Sequence, residues 1–208
     1  MGSMSDHAIP LREQDVDPDP LRQFEAWFDE AGKAGIRLPE AVAVATASAD
    51  GAPSLRMVLV KHFDADGFVF YSNFESRKGR ELAANPRAAL LFHWDSLGRQ
   101  VRIEGPVRRM SVEESAAYVR SRPRGSQLSA LASPQSQPVA GREVLEQAVA
   151  ELAERHAGQE LPLSSAWGGF RVFPETFEFW QQREDRLHDR LRYSRGDGAG
   201  WLIERLAP

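Results

Sequence analysis

The stretch Trp180-Gln181-Gln182-Arg183-Glu184-Asp185-Arg186-Leu187-His188-Asp189-Arg190 holds the densest set of groups able to do chemistry. Taken as an extended strand, it sets Arg186, His188 and Arg190 on one face in steps of about 7 Å. Three cationic or titratable groups so arranged repel one another unless an anion or a polar ligand lies among them. A solvated face paired with Asp185 and Asp189 accounts for the same pattern. The residues alone leave both readings open.

Three other clusters have this double character. Ser76-Arg77-Lys78 opens a predicted helix, where free backbone N–H groups and the positive helix end suit a phosphate; an ordinary capped surface helix looks the same. In Arg56-Met57-Val58-Leu59-Val60-Lys61, strict alternation puts Arg56 and Lys61 on opposite faces near the ends of an apolar strand, where charges commonly anchor to solvent. Tyr118, Arg122-Pro123-Arg124-Gly125-Ser126 and Gln135-Ser136 offer donors suited to a phosphate within a turn, or form a polar loop.

Several chemistries are missing. No Gly-x-Gly-x-x-Gly follows a strand, and Gly196, Gly198 and Gly200 fall where a hairpin turn is expected. There is no phosphate-loop signature, no His-Glu-x-x-His and no Gly-x-Ser-x-Gly. The histidines His7, His62, His93, His156 and His188 are scattered, which disfavours a His-rich metal site. Cysteine is absent, excluding disulfides, thiolate nucleophiles and zinc–cysteine sites. An enzyme with this inventory draws its hard chemistry from a cofactor.

The elements that must position these groups read mainly as strands. The 208 residues are 42% hydrophobic and 27% charged, which suits one globular domain. No apolar run approaches the roughly 20 residues of a membrane span. Met1-Gly2-Ser3-Met4 reads as a cloning remnant rather than a signal peptide, so a cytoplasmic protein is expected. A net charge of −4 argues against non-specific nucleic-acid binding. Lysine occurs only at Lys33, Lys61 and Lys78 among the 26 basic residues, so arginine dominates.

Residues 1–19 read as a flexible arm ending in the helix start Asp17-Pro18-Asp19-Pro20, and residues 20–208 as a single domain. Leu21, Phe24, Trp27 and Phe28 recur at helical spacing up to Gly32–Gly35. Strands are predicted at 41–47, 55–62, 68–72, 88–94, 100–109, 170–173, 176–181, 186–193 and 201–206, with Asp50-Gly51 and Asp66-Gly67 as turns. Helices are predicted from Ser76, from Ser111 with a capping box through Arg120, and over 141–156. Residues 121–140 read as an ordered loop. The fold class is mainly β with peripheral helices (α+β), a barrel.

In order along the chain, these stretches resemble the pyridoxine/pyridoxamine 5′-phosphate oxidase family from about Asp19 to Pro208. The likeness is carried by Arg56 to Lys61, Phe70-Tyr71-Ser72-Asn73, Ser76-Arg77-Lys78, Arg99-Gln100-Val101, Ser121-Arg122-Pro123-Arg124 and Gln135-Ser136. It continues in Trp167-Gly168-Gly169-Phe170-Arg171-Val172, Phe179-Trp180-Gln181 and Arg205-Leu206-Ala207-Pro208. Its most specific block is Arg186-Leu187-His188-Asp189-Arg190.

The resemblance implies an FMN-binding split β-barrel, homodimeric, with flavin at the subunit interface. By matching position it implies FMN contacts from Arg56, Met57, Val58, Leu59, Tyr71, Ser72, Arg77, Lys78, Gln100, Gln135, Ser136, Trp180 and Arg190. Lys61, Tyr118, Arg122 and Ser126 match the clamp on the substrate phosphate, and Arg186 and His188 match the catalytic pair over the pyridine ring. The implied reaction, in vitamin B6 metabolism, oxidises pyridoxamine or pyridoxine 5′-phosphate to pyridoxal 5′-phosphate. Hydride passes from C4′ to flavin N5, and O2 is reduced to H2O2. Two phosphates near −1.5 to −2 each would explain why an acidic chain gathers cations in these windows.

Two features depart from the family pattern: Gln182-Arg183 replaces the usual glycine after Trp-Gln, and many members carry an Arg-x-x-Tyr segment near the N-terminus, whereas here Arg12 is followed by Glu13-Gln14-Asp15 and no tyrosine precedes Tyr71. A related oxidase of phenazine biosynthesis, acting on a dihydrophenazine acid, is the nearest alternative; Lys61, Tyr118, Arg122 and Ser126 favour a phosphorylated substrate over it. A non-catalytic flavin- or haem-carrying split barrel is the alternative from another class. The Arg186-x-His188 pair argues against that.

Overall fold

Apolar side chains on alternate positions of short strands can be buried only if the sheet closes or is covered. Both happen here. A computed structural model describes residues 10–196 and 200–208. Along β1 (Ala41–Ala47), Val42, Val44 and Thr46 are buried while the alanines between them are half-buried. The remaining strands are β2 (Pro53–Asp64), β3 (Gly67–Asn73), β4 (Arg87–Trp94), β5 (Arg99–Arg109), β6 (Trp167–Val172), β7 (Thr176–Gln181), β8 (Asp189–Arg195) and β9 (Trp201–Arg205). They run β4-β1-β2-β3-β6-β5-β7-β8-β9, and β4 pairs again with β5, closing the barrel.

The barrel is split along β5. One edge of β5 pairs with β4, whereas the other serves β7 over residues 99–104 and β6 over 107–109. The connection from β6 to β7 presses against β5 at Gly105, where an added Cβ would lie 1.9 Å from the Phe173 carbonyl oxygen. Only glycine admits so close an approach.

Strand β2 is not regular. Val60 pairs with Phe70 and His62 with Val69, which leaves Lys61 as the extra residue of a bulge. Val58 and Phe63 therefore both pack on the core although their positions have opposite parity.

Helix α1 (Pro20–Lys33) packs on the barrel core. Asp19 caps it by accepting the Leu21 N–H at 2.9 Å, with Pro20 in the first turn. Phe24 is fully buried, its ring within 5.0 Å (centroid to centroid) of Phe63, Phe68 and Phe92. Edge-on aromatic packing of this kind adds to the burial of apolar area.

The other helices are α2 (Arg77–Ala84), α3 (Val112–Ser121), α4 (Arg124–Ala132) and α5 (Arg142–Arg155). The capping box at Ser111 and Glu114 forms as expected. Helix α4 corrects the expectation of a loop over 121–140. Pro123 precedes its first turn, the run Gln127 to Ala132 has no strong helix breaker, and Leu128 is buried.

The predicted strand 186–193 is corrected as well: residues 184–186 form a 3-10 turn and β8 begins at Asp189. Asp185 and Arg186 have φ of 53° and 61°, so Arg186, His188 and Arg190 do not share one strand face. Strand β6 begins at Trp167, three positions before the predicted start. The arm was expected to extend to residue 19; within it, Leu11 and Val16 are buried in the core cluster. Residues 197–199 of the predicted last hairpin turn, and 1–9 of the arm, lie outside the described residues.

Candidate functional site

Lys78 stands in the first turn of α2, capped by Ser76, whose Oγ accepts the Gly79 N–H at 3.2 Å. A Cβ on Gly79 would lie 2.2 Å from the Phe74 carbonyl oxygen, so glycine lets the helix seat close against the 73–74 loop. This seating buries the Lys78 ammonium. Its Nζ donates to Ser72 Oγ and Gln135 Oε1 at 2.9 Å each, and Ser72 Oγ donates to the same Gln135 oxygen at 2.9 Å. Among the described residues no carboxylate pairs with this buried cation. Burial, and then the nearby Arg56 charge, bring Lys78 down to about 8 against the opposing pull of Glu81.

Glu81 lies one turn further along α2 and is buried. It accepts Arg77 Nε at 2.8 Å and Arg56 Nη2 at 3.3 Å, along with the hydroxyls of Thr46 and Ser54. Burial alone would raise its carboxyl, but hydrogen bonds from Ser54, Thr46 and Arg77, and the Arg56 charge, outweigh it and hold Glu81 at about 2. Arg56 also donates to the Val44 carbonyl at 3.3 Å and to Thr46 Oγ1 at 2.5 Å. Arg56 and Arg77 thus share a single carboxylate, with the Lys78 ammonium nearby. The excess of cation, with backbone N–H groups at the helix start, forms a setting that fits a phosphate.

Beside this lies an aromatic stack. Tyr71 and Tyr118 are parallel with centroids 3.7 Å apart, and Trp167 stacks on both at 5.9 and 6.0 Å. Burial raises both tyrosine hydroxyls above their ordinary range. The Arg122 Cζ sits 4.7 Å over Trp167, and Arg122 Nη1 is buried with no hydrogen-bond partner among the described residues. A buried guanidinium N–H without an acceptor is costly unless an anion arrives. Ser126, half-buried, lies in the first turn of α4.

A further group lies on the outer face of β5, β7 and β8. Gln100 pairs with Trp180, and Trp180 with Arg190, so one row crosses the three strands. Arg190 Nε donates to buried Glu178 at 2.8 Å and its Nη1 to the Ala207 carbonyl at 2.8 Å. His188 lies against Trp180 with ring centroids 4.6 Å apart. Its Nδ1 accepts the Arg183 N–H at 3.1 Å, which leaves Nε2 to carry the proton of a neutral ring. Arg186 is exposed on the turn.

The expected residues therefore fall into sets rather than one pocket of a single chain. Arg56, Ser72, Arg77, Lys78 and Gln135 converge, with Ser136 next to them at φ 72°. Tyr71, Tyr118 and Arg122 form the stack; Gln100, Trp180, His188 and Arg190 form the row. Lys61 lies 3.7 Å from Glu40, and no hydrogen bond joins it to Tyr118 or Arg122. Met57 is exposed and Leu59 half-buried on the outward side of β2, while Val58 packs inward.

Glu81, Glu178 and the stacking role of Trp167 escaped the sequence. The four-residue spacing of Arg77 and Glu81 on a helix was a usable signal for the first. Glu178 shows itself only once the register of β7 on β8 is known.

The profile of a family described as pyridoxamine 5′-phosphate oxidase matches residues 28–156, and that of the pyridoxine 5′-phosphate oxidase C-terminal dimerisation region matches residues 167–208. A pyridoxine/pyridoxamine 5′-phosphate oxidase of Rubrobacter xylanophilus is 57% identical over 198 residues, covering 95% of this chain and 91% of that protein. One of Cupriavidus metallidurans is 53% identical over 198 residues, covering 95% and 93%. Among solved structures, PhzG of Burkholderia lata in complex with tetrahydrophenazine-1-carboxylic acid superposes with a TM-score of 0.89 at 34% identity, covering 97% of this chain and 98% of that one.

Proposed function

This chain belongs to the pyridoxine/pyridoxamine 5′-phosphate oxidase family, and from that premise we propose that it oxidises pyridoxamine and pyridoxine 5′-phosphate to pyridoxal 5′-phosphate as a cytoplasmic FMN-dependent homodimer using O2. The observation that carries the phosphate chemistry is the buried Lys78 ammonium, held by Ser72 and Gln135 with no carboxylate of its own among the described residues. Residues 20–208 act as one domain in this reading.

Arg56, Arg77 and Lys78 would hold the FMN phosphate, with Ser72, Gln135 and Ser136 beside it and Tyr71 and the β2 residues Met57, Val58 and Leu59 along the flavin. Gln100, Trp180 and Arg190 lie on the sheet that includes the dimerisation region. A two-fold axis would bring that row from one protomer toward the Lys78 pocket of its partner. FMN, when bound, supplies a two-electron acceptor for the hydride leaving the substrate C4′ and passes the electrons to O2 as H2O2.

Tyr118, Arg122 and Ser126, with Lys61, would clamp the substrate phosphate; the unpartnered Arg122 Nη1 supports this role. Arg186 and His188 would cover the pyridine ring, with His188 presenting Nε2–H because Nδ1 is already engaged. Neither is required as a strong base, since fixing the ring at the flavin supplies most of the orientation. With the amine substrate, water then cleaves the imine to aldehyde and ammonia.

The test is to purify the protein, identify released flavin by mass, and follow peroxide and pyridoxal 5′-phosphate with each substrate separately. Bound FMN and stoichiometric products are expected. Turnover of a reduced phenazine carboxylic acid, with none of either B6 phosphate, would overturn the proposal.

A further inference from the structure

Asp189 is the meeting point of three distant parts of the chain. Its Oδ2 accepts the Leu11 N–H at 3.1 Å, its Oδ1 accepts Arg205 Nη1 at 2.7 Å, and Arg183 Nε lies 3.5 Å from Oδ2. Arg205 also grips Glu13 with two parallel bonds of 2.9 Å and donates to the Leu11 carbonyl at 2.7 Å. One guanidinium thus ties the arm at residues 11–13 to the start of β8.

What Asp189 abuts gives this knot a consequence. Arg183 and Asp189 bracket the turn that carries Arg186 and His188. Its backbone is left-handed at two successive non-glycine residues, Asp185 and Arg186. Such a conformation persists only where its surroundings hold it. One hold is the Gln182 N–H on the Gly98 carbonyl at 2.8 Å, and a second is the Arg183 N–H on His188 Nδ1 at 3.1 Å. The third is the Asp189 knot. Leu11 and Val16 are buried, so the arm has its own apolar anchorage and the ion pairs add alignment to it.

We propose that Glu13, Arg205 and Asp189 form a latch that positions the Arg186–His188 turn for substrate, so that residues 11–13 act on substrate affinity through that turn. This rests on the assignment of Arg186 and His188 to the substrate ring. It also gives a use to Glu13, which supplies the carboxylate that Arg205 grips.

The test uses the FMN-loaded full-length protein and its Glu13→Gln, Arg205→Lys and Asp189→Asn variants. Amide hydrogen exchange of residues 182–189 is read by mass spectrometry beside KM, kcat and FMN affinity. In Glu13→Gln, exchange should rise within 182–189 but not in β5, and KM for pyridoxamine 5′-phosphate should rise about two- to fivefold, as expected for a part-exposed ion pair. Its kcat and FMN affinity should hold. Arg205→Lys, which keeps one contact, should fall between wild type and Asp189→Asn.

Unchanged exchange in the turn, faster exchange spread equally through β5, or an unchanged KM despite a loosened turn would each overturn the latch. Should the wild type turn over neither B6 phosphate, the oxidase assignment fails on its own, while the exchange data still judge whether the knot holds the turn.

Discussion

Lys78 Nζ and Gln135 Oε1 lie 2.9 Å apart although 57 positions separate them in the chain. The bond joins the first turn of α2 to the segment after α4, and it brings a neutral acceptor, not a carboxylate, to a buried ammonium. The charge of Lys78 therefore remains available to an incoming anion.

That arrangement makes cofactor binding pH-dependent. Burial and Arg56 lower Lys78 from 10.5 to about 8. A bound phosphate favours the protonated form, so FMN affinity of the apoprotein should be flat from about pH 7 to pH 8 and fall above it, by up to roughly tenfold per pH unit. Riboflavin, lacking the phosphate, should show no such fall, and Lys78→Gln should remove the slope. Quenching of flavin fluorescence measures all three. The unfolded chain holds the proton from about 8 to 10.5 while the folded apoprotein does not, so this group's contribution to apoprotein stability rises with pH across that window.

Glu81 carries the opposite sign. Its folded value of about 2 lies below the ordinary 4.5, so its contribution to stability is complete above pH 4.5 and is lost as pH falls toward 2. Glu81→Gln should destabilise the protein by about 3 kcal/mol at neutral pH, because Arg56 is left part-buried without its counter-charge. Denaturant unfolding between pH 3 and pH 7 should show a shallower acid limb in the variant, in keeping with the loss of one titrating group.

Arg186→Ala tests the substrate role. Loss of a charge-assisted contact costs about 1.5–3 kcal/mol, a fall of roughly 10- to 150-fold in kcat/KM. The variant should remain yellow with an unchanged FMN content. Loss of flavin together with activity would move Arg186 from substrate contact to cofactor retention.

Gly105→Ala tests the split of the barrel. The new methyl would meet the Phe173 carbonyl oxygen at 1.9 Å, and a backbone atom cannot step aside as a side chain can. A loss of about 3 kcal/mol or more is expected, at the upper end for added volume in a packed site. Thermal unfolding checks it, with Gly32→Ala, which meets nothing within 4 Å, as the control.

Features with local causes were legible in the sequence. Asp50-Gly51 and Asp66-Gly67 announced turns, and both glycines adopt positive φ, 89° and 125°. Ser76 and the Ser111–Glu114 box announced helix starts, because a cap needs only residues two or three positions apart. The left-handed pair at Asp185 and Arg186 was not legible. Alternation predicted a strand through them, and only the pairing of β7 with β8, which begins at Gln181 and Asp189, obliges the chain to turn there.

The order and identity of the residues were enough to establish the strand and helix periods, the scarcity of lysine, the lack of cysteine chemistry, and the family. Tertiary structure alone decided that Lys78 meets Gln135 rather than an acid, that Arg56 and Arg77 share Glu81, that Arg190 is held by Glu178, and that Arg205 ties down the arm. The reason is physical. Periodicity and capping act over a few residues, whereas the distance between two side chains far apart in sequence depends on strand register and barrel closure, which the packing of the whole core selects.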